Sequence, residues 1–128
     1  MKFASRVLFV VACVMGAASV LLAAYVAHMG ESLNPSALKS VQSALHMLQI
    51  HALALAGVTA LALLDQSRKS LMVSAGLLVV GLVLFSLNIC LVHLAGIGTF
   101  KAAIPYGGMA FVAAWLALAF WAGRPRTP

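Results

Sequence analysis

The chain has 128 residues, of which 64% are hydrophobic and only 8% are charged, whereas roughly a quarter of the residues of an average soluble domain are charged. Its formal charge of +6 comes from eight lysines and arginines against Glu31 and Asp65, and these charges flank apolar stretches instead of forming the basic face that binds nucleic acid. The composition therefore excludes an ordinary soluble fold and predicts one integral membrane domain, residues 1–128, whose first partner is the lipid bilayer.

Four stretches are apolar over the length that crosses a membrane, which takes about 20 residues of helix. Each must satisfy its own backbone hydrogen bonds in the hydrocarbon core, so each is expected to be helical. The predicted helices cover approximately residues 7–29, 36–64, 70–94 and 104–122. The predicted fold class is all-α, an integral membrane bundle of four antiparallel helices.

The first stretch follows Lys2 and Arg6, as the core of a signal peptide would, but it is too long for one and no prompt small-x-small cleavage site follows it. It is therefore predicted to be a retained helix. The second helix is predicted to begin after Asn34, which can cap it, with Pro35 in its first turn. A helix from there to Leu64 would be ~45 Å long, so its first turns should stand in the headgroup region, or the helix should tilt.

The distribution of lysine and arginine predicts the orientation of the bundle. The short polar link 65–69 indicates an antiparallel hairpin, and the longer segment 95–103 joins the third and fourth helices. With the N-terminus inside, the cytoplasmic side holds Lys2, Arg6, Arg68, Lys69, Arg124 and Arg126. The opposite side holds only Lys39 and Lys101. Both termini are therefore predicted to be cytoplasmic.

This topology places all four histidines toward the outer end of the bundle, where Gln49 and Asn88 also lie. The histidines are His28, His46, His51 and His93. Ionisable side chains within a membrane are costly, so their default interpretation is functional. The alternative is structural: an interfacial histidine stays neutral and hydrated, and a hydrogen bond from His51 or Gln49 to Asn88 would join two helices.

Metal binding and covalent catalysis receive little support from the residues. His46 and His51 are five residues apart, about 140° around a helix, and no carboxylate lies in a span to orient a ligand. Cys13 and Cys90 match no metal-ligand spacing and are predicted to be free, small apolar side chains. No nucleophile–His–acid set is present, so we predict neither catalytic residues nor an enzyme. A quinone, haem or lipid site built on one histidine stays open.

Short motifs in all four helices carry a family resemblance. They are Ala24-Tyr25-Val26-Ala27-His28, His51-Ala52-Leu53-Ala54-Leu55, Leu84-Phe85-Ser86, and Ile104-Pro105-Tyr106-Gly107-Gly108-Met109-Ala110-Phe111 with Trp115. In order and spacing the chain resembles the small bacterial inner-membrane proteins with domain of unknown function 423, to which the eukaryotic transmembrane protein 256 is related. The resemblance covers nearly the whole chain.

The resemblance implies a multi-pass protein of the bacterial inner (plasma) membrane without an established activity. The positions that match the signature of the family are His28, His51, Pro105, Gly107, Gly108 and Trp115. The chain departs from the family at Met47-Leu48, where Tyr-Gln is usual, and in the run that follows Ser86. If a ligand site exists, His28 and His51 are its predicted centre, with Gln49 and Asn88 beside them.

The leading functional prediction is a non-enzymatic subunit. The chain has almost no mass outside the membrane, and small residues recur at helix-packing spacing, which is typical of a protein that packs against others. It would be an accessory or structural subunit of a larger membrane complex, such as a respiratory complex, or a homo-oligomer. The alternative prediction is a binding module that holds a quinone, lipid or metal with an outer-leaflet histidine cluster.

Overall fold

The computed structural model describes residues 2–65 and 69–125, and within those ranges the chain forms helices and no strand. The α-helices are α1 (Lys2–Met29), α2 (Pro35–Leu64), α3 (Lys69–Gly81), α4 (Asn88–Leu94) and α5 (Ile104–Gly123). A π-helical segment, Leu82–Leu87, joins α3 to α4. One 3-10 turn, Gly30–Ser32, follows α1, and another, Lys101–Ala103, precedes α5. The central part of the predicted 65–69 link, with Arg68, lies outside the described residues, and so does Arg126.

Four continuous helical stretches are long and apolar enough to cross a membrane. They are Lys2–Ser32, Pro35–Leu64, Lys69–Leu94 and Lys101–Gly123. The predicted all-α, four-helix membrane bundle is therefore confirmed. The helices begin and end outside the predicted apolar runs at several places, as α1 does at Lys2, because polar flanking residues continue a helix beyond the hydrocarbon core as readily as apolar ones do.

The start of α2 follows the predicted capping. The Asn34 side chain accepts a hydrogen bond from the backbone N–H of Ala37 at 2.8 Å, and Pro35 occupies the first helical position. The helix then runs for 30 residues to Leu64. Pro105 likewise lies in the first turn of α5, where a missing N–H costs no helical hydrogen bond.

The bundle is assembled from two pairs of helices. α1 packs chiefly against α2, α3 packs chiefly against α5, and α2 joins the pairs through its contacts with α3 and the π-helical segment. The centre of the core is filled by fully buried leucines, among them Leu48, Leu55, Leu71, Leu78 and Leu82. Only 11% of the most apolar window of α1 is buried, against 39% for each of the next two spans, so α1 is the most exposed span.

Each end of the bundle has a polar contact between distant parts of the chain. At one end, which we call the Asp65 end, the Trp121 indole donates a hydrogen bond to the Asp65 carboxylate at 2.9 Å. At the other, the Glu31 end, the Asn88 amide donates to the backbone carbonyl of Phe100 at 2.6 Å and so holds the α4–α5 connection against the helix.

α5 approaches the π-helical segment closely where the two cross. A Cβ atom on Gly107 would stand only 2.5 Å from the backbone nitrogen of Phe85 and 2.8 Å from the carbonyl carbon of Leu84. On α3, a Cβ atom on Gly81 would overlap the ring of Phe111. Glycine at both positions therefore lets α5 lie against the third span at backbone distance, as small residues do between membrane helices.

We predict that Gly107→Ala destabilises the bundle by about 1–3 kcal/mol, because the added methyl meets backbone atoms that cannot rotate away. The matched control is Gly76→Ala on α3, an exposed helical position with nothing within 4 Å of the added carbon. There the higher helix propensity of alanine should leave stability unchanged or raise it by about 0.5–1 kcal/mol. Reversible unfolding in mixed detergent micelles, followed by circular dichroism, measures both. Equal effects of the two substitutions would contradict the close crossing.

Candidate functional site

His51 is a buried histidine on α2 whose two ring nitrogens both have partners within the chain. Its side chain is 5% exposed. The indole N–H of Trp115 donates to Nε2 at 3.2 Å, and since an indole can only donate, Nε2 carries no proton. Nδ1 therefore carries the proton and donates it to the Met47 carbonyl at 2.8 Å. His51 is held as a neutral imidazole in a single tautomer.

The ring of His51 lies against aromatic side chains of α5. The Phe111 ring stacks on it, with ring centroids 3.8 Å apart and an angle of 19° between planes, and Trp115 meets it edge-on at 6.1 Å. Phe85 of the π-helical segment meets Phe111 edge-on at 6.0 Å. We call these four residues the aromatic cluster: His51, Phe85, Phe111 and Trp115. The two edge-on contacts, His51 with Trp115 and Phe85 with Phe111, have a favoured geometry of aromatic pairs.

One face of α5 positions this cluster. Gly107, Phe111 and Trp115 are four residues apart from one to the next, so they lie one above another along the helix. Gly107 brings the helix against the π-helical segment, Phe111 lies over Gly81, and Trp115 reaches His51. Gly108 has a lesser role, because a Cβ atom there would make an ordinary 3.8 Å contact with Phe85.

The structure does not bring the other predicted site residues to His51. His28 is exposed at the end of α1, and Gln49 is exposed on α2. Asn88 is 97% buried, but it donates to Phe100. The expected hydrogen bond from His51 or Gln49 to Asn88 is therefore wrong. Gln49 and His51 are two residues apart, about 200° around a helix, so when His51 faces α5, Gln49 must face away from the bundle.

Groups that could ligate a metal do not converge in the part of the chain that the structure describes. No set of three or more His, Cys, Asp or Glu side chains lies close enough to hold an ion among those residues. Cys13 and Cys90 are free, Cys13 exposed and Cys90 buried. Three buried side-chain oxygens of the described residues, Ser70 Oγ, Ser86 Oγ and Asn88 Oδ1, have no hydrogen-bond partner.

Sequence reasoning did not assign a role to Phe111 or Gly81. For Phe111 a signal was present, because it stands four residues after Gly107 and four before Trp115, on the same face of the helix. Gly81 and the π-helical segment that follows it gave no such signal, since the sequence there is apolar except for Ser86.

A family model described as "Protein of unknown function (DUF423)" matches residues 22–108. The matched range contains His28, His51 and Gly107 and ends before Phe111 and Trp115. Neither the curated proteins nor the solved structures include a significant match.

We predict that Trp115→Phe destabilises the protein by about 1–3 kcal/mol, because Nε2 of the buried His51 loses the hydrogen bond from the Trp115 indole. The control is the same substitution in a His51→Leu background, where no acceptor remains to be left unpaired. Unfolding followed by circular dichroism should give a coupling energy between the two positions of at least about 1 kcal/mol. If Trp115→Phe costs the same in both backgrounds, the hydrogen bond contributes nothing to stability.

Proposed function

This chain belongs to the DUF423 family of proteins of unknown function, and we propose that it is a non-catalytic structural subunit of a larger membrane complex, such as a respiratory complex. The observation that carries the proposal is the internal pairing of His51. The histidine best placed for chemistry uses both nitrogens to join α2 to α5, so neither lone pair nor proton is available to a ligand. Its role is to position helices.

The exposure of α1 supports lateral association. Most of its large apolar side chains lie on the outside of the bundle, including Val10, Val14, Val20 and Leu21. In a membrane such a surface is stable against lipid, yet it is equally ready to pack against another apolar helix. The connections between spans are short in the described chain, so a partner would meet this protein mainly within the bilayer.

The alternative function, a binding module for a quinone, lipid or metal, receives less support. It relies on a cluster of histidines at the Glu31 end. His28 and His46 are exposed on different helices, and among the described contacts neither touches His51. A ligand at His51 itself would have to displace the Trp115 indole or the Met47 carbonyl, and both are already well placed.

The proposal includes a location in the bacterial inner membrane with both termini in the cytoplasm. Lys2, Lys69 and Arg124 lie at the Asp65 end, whereas Lys39 and Lys101 lie at the Glu31 end, which favours a cytoplasmic Asp65 end. Labelling intact cells with a membrane-impermeant thiol reagent tests this. Ser36→Cys should react in intact cells and Ala122→Cys only after lysis, and the reverse pattern would overturn the orientation.

We predict that the chromosomally tagged protein, purified gently from native membranes, carries larger membrane subunits at a constant ratio. Mass spectrometry of the intact assembly identifies them and gives the stoichiometry. A matched control is the Gly107→Ala protein. The amount of the larger subunits that it carries should fall in proportion to its fraction of folded protein. Recovery of the pure chain with a bound chromophore, or with one lipid at fixed ratio, would contradict the structural role and favour the binding module.

A further inference from the structure

An exposed row of polar side chains runs along α2 near the Glu31 end. Its members, which we call the polar row, are Lys39, Gln42, Ser43, His46 and Gln49. Steps of three and four residues place them on one face of the helix. All five are exposed, and within the described chain none of them makes a side-chain hydrogen bond or ion pair.

Part of this row lies at the depth of the hydrocarbon. The contact between Trp121 and Asp65 marks one membrane interface close to Leu64, since indoles and carboxylates favour that zone. About 20 residues of helix cross the core, so the opposite interface falls near Leu45 on α2. Gln49 then faces lipid about one turn inside that interface, which is costly for a polar side chain and indicates that another molecule covers it, whereas His46 lies at the interface itself.

We infer that a second copy of this chain covers the polar row, in a parallel dimer with its two-fold axis along the membrane normal. In such an interface the same patch meets itself, and residues at equal depth come together. A glutamine amide both donates and accepts, so Gln49 can bond the same residue of the second copy. The inference rests on the proposed structural role and gives it a first partner.

The charges beside the row favour the same occupant. Glu31 lines a groove of about 390 Å³ between α1 and α2, and Gln42 belongs both to this groove and to the polar row. Glu31 and Lys39 carry opposite charges and have no ion-pair partner in the described chain. In a two-fold dimer each Lys39 can reach Glu31 of the other copy, which gives two ion pairs. Small groove residues such as Ala27 and Gly30 allow the close approach.

Disulfide crosslinking in native membranes tests the interface. In a Cys13→Ser background, where buried Cys90 is the only native thiol, Gln49→Cys should give a covalent dimer on mild oxidation. The matched control is Met109→Cys on α5, where the native side chain is 66% exposed. Met109 lies five residues after the start of α5 at Ile104, and Gln49 lies four residues after Leu45, so the two positions have a similar depth. The control should give no more dimer than the background chain.

Charge reversal tests the ion pairs. In lipid nanodiscs, Lys39→Glu should lower the dimer association constant about threefold or more, the scale expected for solvated ion pairs. Adding Glu31→Lys to the same chain should restore it, because each pair then forms with its charges exchanged. Native mass spectrometry gives the dimer fraction.

The possible results distinguish failure of the dimer from failure of the proposed function. Gln49→Cys could crosslink no better than Met109→Cys, or it could crosslink to a different subunit, which would leave the proposed function standing with another partner at this face. If the chain that carries both Lys39→Glu and Glu31→Lys does not regain dimers, the contact between Glu31 and Lys39 is absent and the two-fold arrangement is wrong. Crosslinked dimers that purify without any larger subunit would instead keep this inference and contradict the accessory role.

Discussion

The close crossing of α5 and the π-helical segment is the contact on which the rest of the structure depends. Gly107 meets the backbone at Phe85 without a side chain between them, and this sets both the distance and the rotation of α5. One turn further along, Phe111 lies over Gly81 and stacks on His51, and a second turn brings Trp115 to the histidine. A wider crossing would separate all of these contacts at once.

The fold could be predicted from the sequence because the bilayer imposes it. A membrane fixes the length of each span and forbids unpaired backbone groups, so four apolar runs and the Asn34-Pro35 start of α2 predict four helices. The same argument, together with the family resemblance, made His51 a candidate site residue. What it could not give was the partner of that histidine, since four apolar helices offer no amphipathic pattern that says which faces meet.

The predicted hydrogen bond from His51 or Gln49 to Asn88 is wrong because the rotation of the third span differs from that of a regular helix. Sequence spacing assumes a regular α-helix throughout the third span, but the π-helical bonds of Leu82–Leu87 insert an extra residue into the turn and change the rotation of every residue after it. Asn88 is the first residue beyond the segment, and its amide reaches Phe100. For Gln49 the reason is simpler. It lies two residues before His51, about 200° around the helix, so it faces away from the bundle when His51 faces α5.

The account makes His51 a structural side chain, neutral and fixed in one tautomer by Trp115 and Met47. Nitrogen-15 NMR of the histidine side chains, in lipid nanodiscs at neutral pH and assigned by comparison with His51→Leu, tests this claim most directly. The account predicts a protonated Nδ1 and a bare, hydrogen-bonded Nε2 for His51. A proton on Nε2 would contradict it, because the Trp115 indole could not then donate there, and the histidine would be open to a ligand.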